Sequence, residues 1–104
     1  MKTRREMLEE FVAGDPNDSF SRYALALDLE KDGKDQETIE HLKEVINRDS
    51  SYVAAYYHLG RVLARTGDIE GARDVYRRGL DVAMAANDSR TRAEIQEALE
   101  MLSD

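Results

Sequence analysis

Apolar residues recur along this chain at intervals of three or four positions, the spacing that places them on one face of an α-helix. The stretch from Pro16 to Asp32 is one example, with Phe20, Tyr23 and Leu27 among its apolar positions. Glycines and polar clusters divide the chain into six such stretches. We therefore predict an all-α fold of about six helices, over residues 3–14, 16–32, 35–48, 51–66, 69–86 and from 91 onward.

Residues typical of helix ends lie close to these boundaries. Gly33 and Gly67 follow two of the predicted helices, and glycine readily adopts the left-handed conformation that ends a helix. At helix starts, a short polar side chain can accept a hydrogen bond from a free backbone N–H group. Three pairs fit this role: Thr3 with Glu6, Asp15 with Pro16, and Thr91 with Glu94.

The sequence matches itself when it is shifted by about 34 residues. The shift aligns Tyr23 with Tyr57, Leu25 with Leu59, Leu29 with Leu63, and Gly33 with Gly67. One period earlier, Leu8, Phe11 and Val12 fall in register with Leu42, Val45 and Ile46. Each period therefore contains two predicted helices, and the repeat extends into the N-terminal segment.

The second period carries a recognisable arrangement of large and small residues. It reads Tyr56-x-x-Leu59-Gly60-x-x-Leu63, then Gly67-Asp68, then Ala72-x-x-x-Tyr76. Small residues at Gly60, Ala72 and Gly79 allow two helices to cross closely while the larger residues fill the space around them. This arrangement resembles the tetratricopeptide repeat. The first period is looser, because Arg22 replaces the bulky residue and Thr38 the small one.

The resemblance implies antiparallel helix hairpins stacked as a short right-handed α-solenoid, with about two full repeats and flanking helices. We expect a single domain, 1–104, divided into an N-terminal helix (1–14), repeat 1 (15–50), repeat 2 (51–86) and a C-terminal capping helix (87–104). Such arrays are generally non-catalytic scaffolds that bind a peptide or a partner helix in a concave groove. The alternative is a module that associates with itself or stacks end to end within a larger assembly.

The resemblance assigns the groove to the first helix of each repeat. Its candidate residues are Tyr23, Leu27 and Glu30 in the first repeat and Tyr57, His58, Arg61 and Arg65 in the second. Arg61 and Arg65 lie one turn apart and could hold a partner's carboxylates, which predicts a protein partner with acidic residues. Two alternatives remain open. Tyr23 and Leu27 could pack between neighbouring helices, and acidic side chains of this chain could already neutralise both arginines.

Composition excludes several other functions. The net charge of −7 opposes binding to nucleic acid, and the absence of cysteine removes disulfides and thiolate chemistry. No segment has the length and apolarity of a signal peptide or a membrane span, so we expect a cytoplasmic protein. His58 has no histidine or cysteine one turn away, and His41 is expected to be exposed. We predict no metal, no cofactor and no enzymatic activity, since no nucleophile–base pair or phosphate-binding glycine loop is present.

Overall fold

The computed structural model describes residues 1–102 and contains, within that range, six α-helices and no β-strand. The helices are α1 (Arg4–Gly14), α2 (Ser19–Lys31), α3 (Asp35–Arg48), α4 (Val53–Arg65), α5 (Ile69–Ala85) and α6 (Ser89–Glu100). The prediction of an all-α fold is confirmed. The last two residues of the predicted segment 87–104 lie outside the described range.

The helices form two hairpins that stack side by side. α2 packs on α3, α4 packs on α5, and α3 contacts α4 to join the two pairs. α1 covers α2 at one end, and α6 covers α4 and α5 at the other. The turns inside the two hairpins depend on Gly33 and Gly67, whose φ angles are 73° and 98°. A side chain would be strained in that conformation, so glycine is needed at both predicted breaks.

The α4–α5 hairpin is held by reciprocal glycine–tyrosine contacts. A Cβ atom at Gly60 would lie 2.6 Å from Cδ1 of Tyr76 on α5. A Cβ atom at Gly79 would lie 2.8 Å from Cβ of Tyr56 on α4. Each helix thus contributes one glycine and one buried tyrosine ring to the crossing. The predicted packing role of the small residues is confirmed, and it accounts for them without a ligand.

Two predicted N-caps are wrong, and α4 begins at Val53 rather than at Ser51. α2 begins after Asp18, whose side chain accepts a hydrogen bond from the Ser21 backbone N–H, while Asp15 ends α1. α6 begins after Asp88, which accepts from the Thr91 N–H. Aspartate is a stronger N-cap than threonine, so Asp88 rather than Thr91 precedes α6. Asp15 instead ends α1, where its backbone N–H donates to the Phe11 carbonyl. The Thr3–Glu6 capping box of α1 is confirmed.

The N-terminal helix is attached to α2 by one apolar and one charged contact. Leu8 is buried against Leu25 and Leu29 of α2. Arg5 donates to a carboxylate oxygen of Asp28 at 2.6 Å and to one of Asp32 at 2.6 Å. These contacts fix one side of α1 on α2. The opposite side of α1 remains open to solvent.

Candidate partner-binding groove

An aromatic cluster lies where α2 and α4 run side by side. The ring of Tyr23 on α2 lies 5.4 Å from that of His58 on α4 and 5.2 Å from that of Tyr52. The ring of Tyr57 lies 5.4 Å from His58 on the other side. All four side chains are half-buried, so each ring both packs on the core and presents an edge or face outward. Burial raises the pKa of Tyr23 to about 12, which keeps its hydroxyl neutral.

Arg61 and Arg65 are ion paired with acidic residues of the preceding repeat. Arg61 donates to Glu30 at 2.9 Å, and Arg65 donates to Glu30 at 3.3 Å and to Asp35 at 2.9 Å. This is the alternative left open by the sequence, in which neighbouring helices neutralise both arginines. The guanidinium of Arg65 holds the pKa of Asp35 below its usual value. The two arginine side chains nevertheless remain 46% and 48% exposed.

The structure brings together six of the seven predicted groove residues and leaves Leu27 apart from them. The α2–α4 surface is shared by Tyr23, Glu30, Tyr57, His58, Arg61 and Arg65. Leu27 is half-buried on the other side of α2, where it lines a pocket of about 220 Å³ with Arg4, Phe20 and Lys31. Tyr23 reaches both surfaces. Tyr23 therefore packs between neighbouring helices, as the alternative interpretation states, and its ring also reaches the α2–α4 surface.

Both histidines are half-buried, which corrects the expectation that His41 is exposed. The side chain of Arg22 contacts His41, and a guanidinium nitrogen of Arg22 lies 3.5 Å from His41 Nδ1. Arg22 occupies the position of the bulky residue of the repeat and also donates to the Pro16 carbonyl at 3.3 Å. Burial, followed by the nearby arginine, lowers the pKa of each histidine: Arg22 acts on His41 and Arg61 on His58.

These shifts predict a stability that falls as the pH drops below the ordinary histidine pKa of 6.5. Because the folded-state pKa is lowered, the unfolded chain takes up protons first, and stability present above that value is lost as pH falls through the lowered pKa. We expect the melting temperature to fall between about pH 7 and pH 5. The fall should be reduced in His41→Gln and His58→Gln and nearly absent in the double variant. An unchanged slope in the double variant would contradict this assignment.

The remaining surface gives little support for other chemistry. A cleft of about 680 Å³ lies between α3 and α5, lined by Glu40, Lys43, Glu44 and Arg78 among others, and is larger than the pocket at Leu27. It contains no predicted groove residue, and its charged lining is already mixed in sign. Within residues 1–102, no group of three metal-ligating side chains occurs. In the same range, every helix is too short or too polar to cross a bilayer.

Three residues that shape this surface were not recognised in that role from the sequence. Glu30 was placed in the groove but not paired with the arginines, and Asp35 and Tyr52 were not assigned to it. Asp35 is the first residue of α3, where an acidic side chain stabilises the helix N-terminus. This local role accounts for the residue without any contact to α4. The repeat contained a signal, because Glu30 and Arg61 lie on equivalent helices of consecutive repeats. Only the stacking of α2 against α4 turns that separation into a contact.

Comparison with known proteins agrees with the fold. A scan against protein-family models finds no match. The chain is 28% identical over 90 residues to a curated TPR repeat-containing protein of Pseudomonas aeruginosa, covering 86% of each chain. The crystal structure of a tetratricopeptide repeat domain protein from Salinibacter ruber is 33% identical with a TM-score of 0.76, over 79% of this chain and 91% of that one. The solution structure of a Bordetella parapertussis protein is 27% identical with a TM-score of 0.82, over 98% and 89%.

Proposed function

Because this chain belongs to the tetratricopeptide repeat family, we propose that it is a non-catalytic scaffold that binds a peptide or a partner helix on the α2–α4 surface. Proteins of this family are generally protein–protein interaction modules. Fold alone does not establish a function, so the proposal depends on the surface itself. Its main support is the half-buried aromatic cluster next to two half-exposed arginines.

Such a surface has the composition of a binding site. Tyrosine and arginine are enriched among the residues that dominate binding energy at interfaces. Tyr23 and Tyr57 pack on the core, so their rings lose little conformational freedom on binding. The net charge of −7 places these arginines in an otherwise acidic protein and favours a protein partner over nucleic acid.

The expected partner is a segment with an acidic residue flanked by apolar residues. Its carboxylate would accept hydrogen bonds from Arg61 or Arg65, and its apolar side chains would contact Tyr23 and Tyr57. Because Glu30 and Asp35 already hold the arginines, the partner must share or exchange these ion pairs. We therefore expect weak binding that weakens further as ionic strength rises.

The double variant Arg61→Glu/Arg65→Glu tests this site. It reverses both charges and places glutamates next to Glu30, so an acidic partner should be repelled. We expect proteins that wild type captures from a native lysate to be lost, as measured by quantitative mass spectrometry. The exposed pairs contribute at most about 1 kcal/mol each, so the fold should persist.

The matched control is Lys43→Glu/Arg77→Glu, which makes the same charge change at exposed positions on α3 and α5. It should capture the same proteins as wild type, and circular dichroism should show that both variants are folded. Capture that survives the Arg61/Arg65 reversal would exclude this surface. Equal loss in both variants would assign the effect to net charge and would also exclude it.

The second candidate function is self-association, and exposed apolar residues at the N-terminal end favour it. Phe11 and Phe20 are 57% and 69% exposed, which is unusual for side chains of this size. Light scattering of the purified chain distinguishes the two functions. A monomer supports the groove, whereas a dimer that Phe11→Ser dissociates supports self-association.

A further inference from the structure

In each hairpin, the first helix covers a defined set of positions on the second helix. On α3, Thr38 and Val45 are 0% and 1% exposed. On α5 the corresponding position of Val45, one repeat later, is Gly79, which lies between Tyr56 of α4 and Ile95 of α6. On α5, the preceding and the following helix therefore bury this position together.

The corresponding positions of α1 are uncovered. One repeat before Thr38 and Val45 stand Arg4 and Phe11, and Met7 lies between them on the same helical face. Phe11 is 57% exposed and Met7 is 43% exposed. Leu8, which faces α2, is buried. Positions that are buried on α3 and on α5 are thus exposed on α1.

The adjoining edge of α2 is uncovered in the same way. Arg61 and Arg65 are the α4 residues that meet Glu30 of the preceding first helix. One repeat earlier, their positions are occupied by Leu27 and Lys31, which line the 220 Å³ pocket together with Arg4, Phe20 and Asp28. We call the surface formed by Arg4, Met7, Phe11, Phe20, Leu27 and Lys31 the N-terminal slot.

We propose that the N-terminal slot binds an amphipathic helix supplied by another protein, lying beside α2 as α2 lies beside α4. Its apolar side would cover Phe11, Met7 and Leu27. An acidic residue, at the position that Glu30 has on α2, would face Lys31 and Arg4. This site is distinct from the α2–α4 groove and does not depend on it.

Charge at the slot selects an acidic helix. Lys31 is exposed and has no ion pair within residues 1–102, and Arg4 reaches Asp28 only at 3.9 Å. Asp28 itself is engaged by Arg5 at 2.6 Å. At the rim of this apolar surface, Lys31 is thus unpaired within the described residues and Arg4 has only a long ion pair, so both can contact a partner carboxylate. The same chemistry occurs where α2 lies beside α4, because Glu30 of α2 contacts two arginines of α4 there.

A second copy of this chain fits the slot less well. A two-fold pairing would bring the Arg4 and Lys31 of one copy to the same surface of the other, where like charges repel. Head-to-tail stacking would need the outer side of α6 to be apolar. That side instead carries Glu94 and Glu97 at the positions that Gly60 and Leu63 occupy on α4, and both glutamates are exposed.

A peptide of residues 17–33 of this chain is a suitable probe, because it contains the helix that fills the equivalent slot. Fluorescence anisotropy of the labelled peptide with the full chain should show saturable binding. Phe11→Ser should weaken it at least tenfold, and the peptide variant Glu30→Lys should weaken it at least fivefold. Protein Lys31→Glu should restore binding of the Glu30→Lys peptide, because the exchanged charges again attract.

Lys43→Glu, exposed on α3, is the matched control and should bind like wild type. Absence of saturable binding, or binding indifferent to Phe11→Ser, would overturn the slot. If Arg61→Glu/Arg65→Glu abolishes peptide binding and Phe11→Ser does not, the peptide occupies the groove, which overturns the slot but supports the proposed function. A dimer of the free chain that Phe11→Ser dissociates would make a second copy the occupant and contradict the proposal.

Discussion

Gly60→Leu is expected to unfold or severely destabilise the protein. Even a single Cβ atom at this position would lie 2.6 Å from Cδ1 of the buried Tyr76 ring, and leucine adds three further carbon atoms. Tyr76 is 2% exposed and cannot move aside without displacing its neighbours in the core. Such overpacking costs about 1–3 kcal/mol or more. For a chain of this size, the melting temperature should fall by about 10 °C or more.

The matched control for this substitution is Gly14→Ala. Gly14 lies at the end of α1, and no heavy atom of the described residues lies within 4 Å of the Cβ position there. Its melting temperature should equal or slightly exceed that of wild type, because alanine has the higher helix propensity. Gly60→Ala should fall between the control and Gly60→Leu. If Gly60→Leu melts within a degree or two of wild type, Gly60 does not lie at the helix crossing.

Deletion of residues 91–104 is expected to cause self-association or loss of a cooperative melt. The deletion removes most of α6, including Ile95, which is fully buried, and Leu99 and Leu102, which pack against the core. Burial of one large aliphatic side chain contributes about 1.5–3 kcal/mol. Together these contacts approach the total stability of a small domain, about 5–15 kcal/mol.

Light scattering and thermal melting of the truncated chain test this role of α6. Two substitutions show whether the apolar side of the helix is responsible. Ile95→Ala should cost about 2–5 kcal/mol, whereas Glu97→Ala, at an exposed position, should change stability by at most about 0.5 kcal/mol. A soluble monomeric truncation with an unchanged melt would show that α6 does not cap the stack.

The fold could be predicted from the sequence because most of its determinants are local. α3 runs from Asp35 to Arg48 as predicted, because Gly33 forces a turn immediately before it. The sequence repeat then indicated that the helices pair as hairpins. The starts of α2 and α6 were mispredicted because two acceptable caps stood within a few residues. The turn geometry, including a φ of 56° at Asn87, selected Asp88 at the start of α6.

The site was predicted less well, because it depends on contacts between residues far apart in the chain. Helical spacing correctly placed Tyr57, Arg61 and Arg65 on one side of α4. It could not show that Glu30 and Asp35, about one repeat away, hold those arginines. The sequence likewise did not reveal the N-terminal slot. The sequence aligned Phe11 with Val45, but only the structure shows that one is exposed and the other buried.

The central claim is that a protein partner binds the α2–α4 surface, and photo-crosslinking from that surface tests it most directly. A photoreactive phenylalanine derivative would replace Tyr57, with the same residue at the exposed position Glu40 on α3 as the control. After irradiation in native lysate, we expect adducts of defined mass from position 57 only, and we expect Arg61→Glu/Arg65→Glu to abolish them. The absence of adducts at position 57, equal adducts from position 40, or adducts that persist after the charge reversal would contradict the claim.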